Sequence, residues 1–527
     1  MCAARLARHR RPGVKIAVLE RGREWVPGTF PDRLFNFLPL RRRPTWINQQ
    51  ISHNRLGLFG FYDGDVDVVV GSGLGGSSLT NCAVALEPEE DVFRQAAWPR
   101  ELRSKQELRP CYDMAKDMLQ PRPTPPARFT AKLETHLGTA RILRGAGLWQ
   151  AKAYPVPLVI TQVSGTNGQG MRQHGCLQCG DCATGCNVGA KNSVDMNYLP
   201  LAWHHGVTMF TQVEVERIRK ADDGYRLEYI LRPDVTRPDR EEHGFVTARM
   251  VILAAGTMGT SEIPLRSRER GGIDVSDWLG RGFSANGNYL GFVDYQYVDP
   301  PVRTRTAGIG VGQGLPRDPV GAYIEGAIDF RLPDRPLHRR AIIEDVAHAS
   351  SLADGVAVLM LADLNRGMTL LGCGHDRAAS EIRLQRDHTT VHWPDYERQP
   401  SHLEMVRLMT EYARAYRGQF APFKPARNYT AHPLGGCRMA ASSGSGVVNH
   451  RGQVFDTSAS ADTTVVHAGL YVADASIIPT ALGNNPLLTV TALAERIAEL
   501  ILTSPDHSSL FRVEQPPRGR EEGQQNP

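Results

Sequence analysis

Two side chains near the end of the chain stand directly before prolines, His432 before Pro433 and Asn485 before Pro486. A proline biases its predecessor away from helical backbone, so both side chains are presented from extended chain. An imidazole, whose reference pKa lies near neutrality, can take up a proton and release it in each turnover. A lone histidine before proline is more often structural, so its neighbours decide the reading. After Asn485, the apolar residues Val490, Leu493, Ala494, Ile497 and Ile501 follow helical spacing, which places Asn485 and Pro486 at the cap and first turn of a helix. The positive pole of that helix is suited to stabilising negative charge that develops beside it.

Glycines form the second constellation. Gly71-Ser72-Gly73-Leu74-Gly75-Gly76 follows the apolar run from Asp65 to Val70 and satisfies the GxGxxG pattern. In a dinucleotide unit a second strand ending in an acid should follow about 20 residues on. The stretch Glu87, Pro88, Glu89, Glu90, Asp91 does not provide one. The loop therefore reads as a backbone-exposing segment that approaches a cofactor closely. An acid of the expected kind ends a different strand, Val14 to Glu20, and the glycine loop belonging to it would fall at or before residue 1. Met1 to His9 then reads as the helix that follows such a loop. A solvated acid at a strand end is the competing reading of Glu20.

The third constellation is Cys176, Cys179, Cys182 and Cys186, with the C-x2-C-x2-C-x3-C spacing of a bacterial ferredoxin but Asn187 in place of the following proline. Four thiolates this close could hold iron–sulfur or zinc, and buried thiols beside a cofactor lobe are the simpler alternative.

The elements that must position these groups belong to a large chain. It has 527 residues, 41% hydrophobic and 22% charged, which predicts a folded protein of two or more lobes. A net charge of +5 is too dilute to suggest nucleic acid as a partner. No apolar stretch is long enough for a transmembrane segment, since Leu487 to Leu502 is broken by Glu495, Arg496 and Glu499. The N-terminus has no continuous apolar core of a secretory signal, and the nine cysteines favour a reducing compartment, so a cytoplasmic location is expected. A Pro-dense stretch from Pro121 to Arg128 reads as a linker, a helix is expected around Tyr198 to His204, and strands at 208–218 and 225–232. Residues 286 to 419 alternate and turn as an antiparallel sheet does.

In order along the chain, VLERGREW (18–25), VVVGSGLGGSSLTNCAVALEP (68–88), CGDCATGCNVGAKNSVDMNYL (179–199), VILAAGTMGTSEI (251–263), AHPLGGCRM (431–439) and GLYVADASIIPTALGNNPLLTVTALAERIA (469–498) resemble the glucose-methanol-choline (GMC) flavin oxidoreductases, and within them the cholesterol-oxidase-like subgroup. The resemblance implies an α/β fold: a Rossmann-like FAD-binding domain, here with its first strand and glycine loop missing, and an α+β substrate domain containing an antiparallel sheet. The expected division is 1–120, 171–285 and 420–512 for the FAD-binding domain, 121–170 for a linker or insert over the active site, 286–419 for the substrate domain and 513–527 for a disordered tail. By resemblance, His432 is the base that takes the hydroxyl proton as hydride passes to flavin N5, and Asn485 orients the alcohol. Glu20 binds the adenosine ribose, while Gly71, Gly73, Gly75, Gly76 and Asn81 line the pyrophosphate and ring. Val215, Ala255 and Gly256 pack near the dinucleotide, Asp474 meets the ribityl chain, and Pro486 belongs to the same cofactor-binding set. A further carboxylate is expected, Asp354 or Glu344. FAD is the implied cofactor, an apolar alcohol or sterol the substrate, and oxygen or another acceptor takes the electrons; no metal ligand is assigned. The alternatives are a non-catalytic remnant of the family, and an iron–sulfur electron-transfer protein using the cysteine run.

Overall fold

Short apolar runs that end in small or acidic residues make the parallel strands of the dinucleotide side. In a computed structural model of the chain, Ala17–Leu19 runs parallel to Thr208–Phe210, and Val251–Leu253 runs parallel to Val466–Val472. The structure describes residues 1–31, 57–147, 150–237, 240–294, 321–347, 367–385, 388–415, 418–422 and 428–512. Asp354 and the tail 513–527 lie outside them. Among the described residues no strand joins the two parallel pairs. The helix Cys2–His9 buries Cys2, Ala4, Leu6 and Ala7 and packs against the helix Leu487–Leu502. There the Cys2 thiol donates to Ala494 O at 3.4 Å and Arg5 pairs with Glu495 at 3.1 Å.

The glycine loop 71–76 belongs to another sheet. Its strand, Val66–Gly71, pairs antiparallel with Phe59–Tyr62 and parallel with Asn428–Thr430, the strand that leads into His432. This is the backbone-exposing loop, outside the parallel dinucleotide pairs. The expected helix Tyr198–His204 is present, and Val213–Ala221, Gly224–Leu231 and Glu242–Ala248 form an antiparallel meander.

Residues 286–419 contribute most of a six-stranded antiparallel sheet in the order Gln419–Pro422, Tyr289–Asp294, Gly367–Gly374, Ala341–Val346, Ile324–Asp329, Lys152–Pro155. The edge strand Lys152–Pro155 comes from the segment 121–170, expected to be a linker or insert. That segment also contains the helix Ala131–Gly145, whose N-cap Thr130 accepts a hydrogen bond from Leu133 N at 3.2 Å. Side chains alternate across the sheet. Ala341, Ile343, Met368 and Leu370 face the core shared with Pro400–Ala415, which supplies Met405, Leu408, Met409 and Tyr412. Ile342, Val346, Leu371 and Cys373 face the core of the other lobe.

Candidate active site

His432 follows the strand Asn428–Thr430 by two residues, and its own N–H is held by Thr430 Oγ1 at 2.9 Å. Its ring Nδ1 lies 3.1 Å from Asn288 Nδ2 and 3.7 Å from the Cys373 thiol. The orientation of the Asn288 amide follows from its other neighbours. Its Nδ2 faces the carbonyl of Gly372 at 3.3 Å, and its Oδ1 lies 2.9 Å from the Thr430 hydroxyl. A carbonyl only accepts, so the amide nitrogen faces it and donates to His432 Nδ1. In the neutral imidazole the hydrogen then resides on Nε2. Burial lowers the His432 pKa to about 4, so neutral is its state near pH 7.

Asn485 stands immediately before Pro486, the N-cap residue of Leu487–Leu502, one position further from the helix than the cap that the spacing predicts for it. Its Nδ2 donates to Glu344 Oε2 at 3.2 Å. Glu344 is fully buried on the strand Ala341–Val346, and burial raises its pKa to about 8. Asn485 Oδ1 and Glu344 Oε1 are buried without hydrogen-bond partners. Of the two carboxylates considered from sequence, the structure brings Glu344 into the cluster. Its neighbour Asp345 points to the opposite face of the sheet, where it pairs with Lys132 at 2.7 Å.

The cofactor candidates fall into two groups. Glu20 ends the strand Ala17–Leu19, and its carboxylate accepts from Gly22 N at 2.7 Å and from Gly73 N. Trp25 Nε1 donates to Ser72 O at 3.1 Å, and Leu74 N to Arg23 O at 3.0 Å, so residues 20–25 and 71–76 form one surface. Gly73, Gly75 and Gly76 all have positive φ, and a Cβ on Gly73 would lie 2.5 Å from the Trp25 ring, which excludes larger residues there. Burial raises the Glu20 pKa, with the two N–H donors opposing it. Asn81 caps the segment, its Oδ1 accepting from Ala83 N at 3.1 Å.

The second group is Ala255, Gly256 and Asp474. Asp474 Oδ2 accepts from Gly256 N at 2.9 Å and Thr260 Oγ1 at 2.5 Å, and its Oδ1 from the N and Oγ of Ser476. Four protein donors occupy this carboxylate, so it staples the turn before helix Gly256–Glu269 to the segment after Val466–Val472. Thr257 Oγ1 donates to Pro433 O at 2.7 Å, tying the same turn to His432. Val215 lies half-buried at a register shift of the meander strand Val213–Ala221, whose first residue donates from its N to Glu20 O at 2.9 Å, so it stands two residues from the Glu20 group.

A flavin dinucleotide fits this set. Ser72 Oγ and Asn485 Oδ1 are buried polar atoms without partners in the chain, and a Cβ at Gly76 or Gly256 would meet nothing within 4 Å, so the backbone is open there. Glu20 and the glycine segment would hold the adenosine and phosphate portions, and the Gly256 and Asn485 turns the ring end.

The cysteine run lines a cavity of about 20 Å³ with Ile160, Val188, Ala190, Lys191 and Gly321. Among the described residues no group of three or more His, Cys, Asp or Glu side chains is arranged to hold a metal ion. Burial raises the pKa of Cys176, Cys179 and Cys182, the last to about 12, so these are protonated thiols. Lys191, absent from the sequence-based candidates, is fully buried and donates to Leu79 O, Asn81 O and Cys182 O at 2.7, 3.0 and 2.7 Å. It locks the glycine segment to the cysteine run. Asn288 was equally invisible in the sequence, since its place just before the strand Tyr289–Asp294, and not any motif, brings it to His432.

Parallel strand pairs lie in one part of the fold and the six-stranded antiparallel sheet in another, and that sheet carries Glu344 to Asn485. The sequence matches the GMC oxidoreductase family over residues 53–273 and 376–494, and the chain belongs to that family, whose members are FAD-dependent oxidoreductases acting on CH–OH groups. It is 25% identical to a cholesterol oxidase of Acinetobacter baumannii over 93% of this chain and 90% of that protein. It is 39% identical to a long-chain-alcohol oxidase of Arabidopsis thaliana over 14% of this chain and 9% of that one. A fungal aryl-alcohol oxidase structure superposes with a TM-score of 0.62 at 15% identity, covering 95% of this chain and 96% of the other, and so shares the fold.

Proposed function

We propose that the protein oxidises the CH–OH group of a bulky apolar alcohol of the sterol class, with oxygen as electron acceptor. The observation that carries the reading is the Glu344–Asn485 pair, two hydrogen-bonded side chains that each retain a buried, unpartnered acceptor oxygen. A substrate hydroxyl carries one hydrogen and would satisfy one of them, Glu344 Oε1 when that carboxyl group is ionised. The sterol class is favoured by similarity to a cholesterol oxidase along nearly the whole chain, against a short match to a long-chain-alcohol oxidase.

In this reading the roles divide differently from the sequence expectation. His432 carries its hydrogen on Nε2, because Asn288 donates to Nδ1, so it would donate to the substrate oxygen and hold it in place. Glu344, with its pKa raised by burial, would accept the hydroxyl proton. Asn485 would keep the carboxyl group aimed at the substrate. FAD, when bound, supplies the hydride acceptor. We assign residues 1–120, 171–285 and 420–512 to the flavin lobe, 121–170 to the crossing segment and 286–419 to the substrate lobe. Nine unpaired cysteines support a cytoplasmic setting, and no helix among the described residues is long and apolar enough to cross a membrane.

The test is anaerobic flavin reduction by cholesterol and by long-chain primary alcohols. Glu344→Gln should slow reduction at least about a hundredfold, as for removal of a general base. Reduction at the wild-type rate in that variant would remove Glu344 from the chemistry.

A further inference from the structure

We infer that Asn286, Gly287 and Asn288 form one positioning element that sets both halves of the active site, gripping the turn that carries Asn485 and selecting the ring tautomer of His432. The inference rests on the functional reading above for its kinetic consequences and on hydrogen-bond geometry for its structural ones.

These residues directly precede Tyr289–Asp294, the second strand in the order of the six-stranded sheet. Asn286 is fully buried. Its Oδ1 accepts from Leu482 N at 2.8 Å and Gly483 N at 3.1 Å, and its Nδ2 donates to Asn484 O at 2.7 Å. Three consecutive residues before Asn485 are thereby held by one side chain. Two residues later, Asn288 Nδ2 donates to His432 Nδ1, with its amide orientation fixed by Gly372 O and the Thr430 hydroxyl. The backbone between them is locked. Asn286 and Gly287 adopt φ of +56° and +55°, a conformation disfavoured for residues with a Cβ. Gly287 N donates to Asp376 Oδ2 at 2.8 Å, and a Cβ on Gly287 would lie 2.5 Å from the Gly374 carbonyl carbon.

An asparagine in the left-handed region between two functional loops has a cost in backbone energy, which the surrounding contacts must offset. What the conformation achieves is that two amides, two residues apart, reach loops that are 53 positions apart in sequence (432 and 485). Neither residue touches the substrate in this account. They are positioning residues.

Nitrogen NMR of isotope-labelled histidine, with the His432 signals assigned by their loss in His432→Gln, reads the tautomer directly. The wild type should show hydrogen on Nε2. Asn288→Asp, whose carboxylate accepts instead of donating, should move it to Nδ1 and lower kcat about tenfold or more with KM less affected. Asn286→Ala should leave the tautomer unchanged and lower turnover, and should add nothing in an Asn485→Ala background. Gly287→Ala should disturb both arms. Flavin content monitors folding in each case; if Asn288→Asp does not fold, Thr430→Val, which removes the hydroxyl that fixes the Asn288 amide, should weaken the Nε2 preference. An unchanged tautomer in Asn288→Asp, or full turnover in flavin-loaded Asn286→Ala, overturns the inference. If the wild type reduces its flavin with no alcohol, the functional reading fails while the NMR result still decides the tautomer.

Discussion

Burial opposes charge on both titratable side chains of the site, so it moves them in opposite directions: Glu344 up to about 8 and His432 down to about 4. Near pH 7 both are therefore mainly neutral. Because only the carboxylate accepts a proton, kcat/KM should rise with pH through about 8 and then level off, and Glu344→Gln should flatten that limb. A stopped-flow pH profile of flavin reduction checks this. The same shift affects stability. With its folded pKa raised, Glu344 contributes stability that is fully present below the ordinary carboxylate range and lost as pH rises through about 8. Urea titrations should show the protein weakening over that window, and Glu344→Gln should lose less. For His432, held below its ordinary value, the contribution is present above about 6.5 and disappears as pH falls through 4. His432 and Asn485 were readable because prolines and helical spacing mark them locally. Glu344 could not be picked out by any local signal, since strand parity decides whether it or Asp345 faces the site, and parity is fixed by pairing with Gly367–Gly374.

At the scale of elements, the site depends on staples that do no chemistry. Asp474 takes four donors from two turns, and Asp474→Asn would turn one accepting oxygen into a donor facing Gly256 N and Thr260. Leaving such groups unpaired should cost about 1–3 kcal/mol of stability, measured by urea denaturation, together with weaker flavin retention. Lys191→Met would strand three carbonyls, one of them on the cysteine run and two on the glycine segment. A loss of at least about 1–3 kcal/mol is expected there too, and unchanged stability would show that the lysine is dispensable. The helices Tyr198–His204 and Leu487–Leu502 were legible, because apolar periodicity is a local feature. The helix Ala131–Gly145 and the edge strand Lys152–Pro155 were not. Both follow a Pro-rich stretch that reads as linker, and the strand is defined by its register with Ile324–Asp329, far away in sequence.

Across the whole molecule, the candidate residues run from Glu20 to Pro486 and fall into separate local clusters, Glu20 with the glycine loop, Gly256 with Asp474, and Glu344 with Asn485. The family was legible because its motifs keep their order over nearly the full length, and the match over residues 53–273 and 376–494 agrees. Thus flavin should stabilise the fold as a unit: adding FAD to flavin-stripped protein at a hundred times its Kd should raise stability by about 2.7 kcal/mol, seen as a higher Tm. The cysteine run was legible as a cluster but not as a cavity wall, because spacing alone does not say where four thiols point. The most direct test of the account is to mix FAD-loaded protein with cholesterol without oxygen and follow the flavin absorbance in wild type and Glu344→Gln. The account predicts bleaching in the wild type and bleaching at least about a hundredfold slower in the variant; a flavin that stays oxidised with cholesterol and every other apolar alcohol, or equal rates in the two proteins, would contradict it.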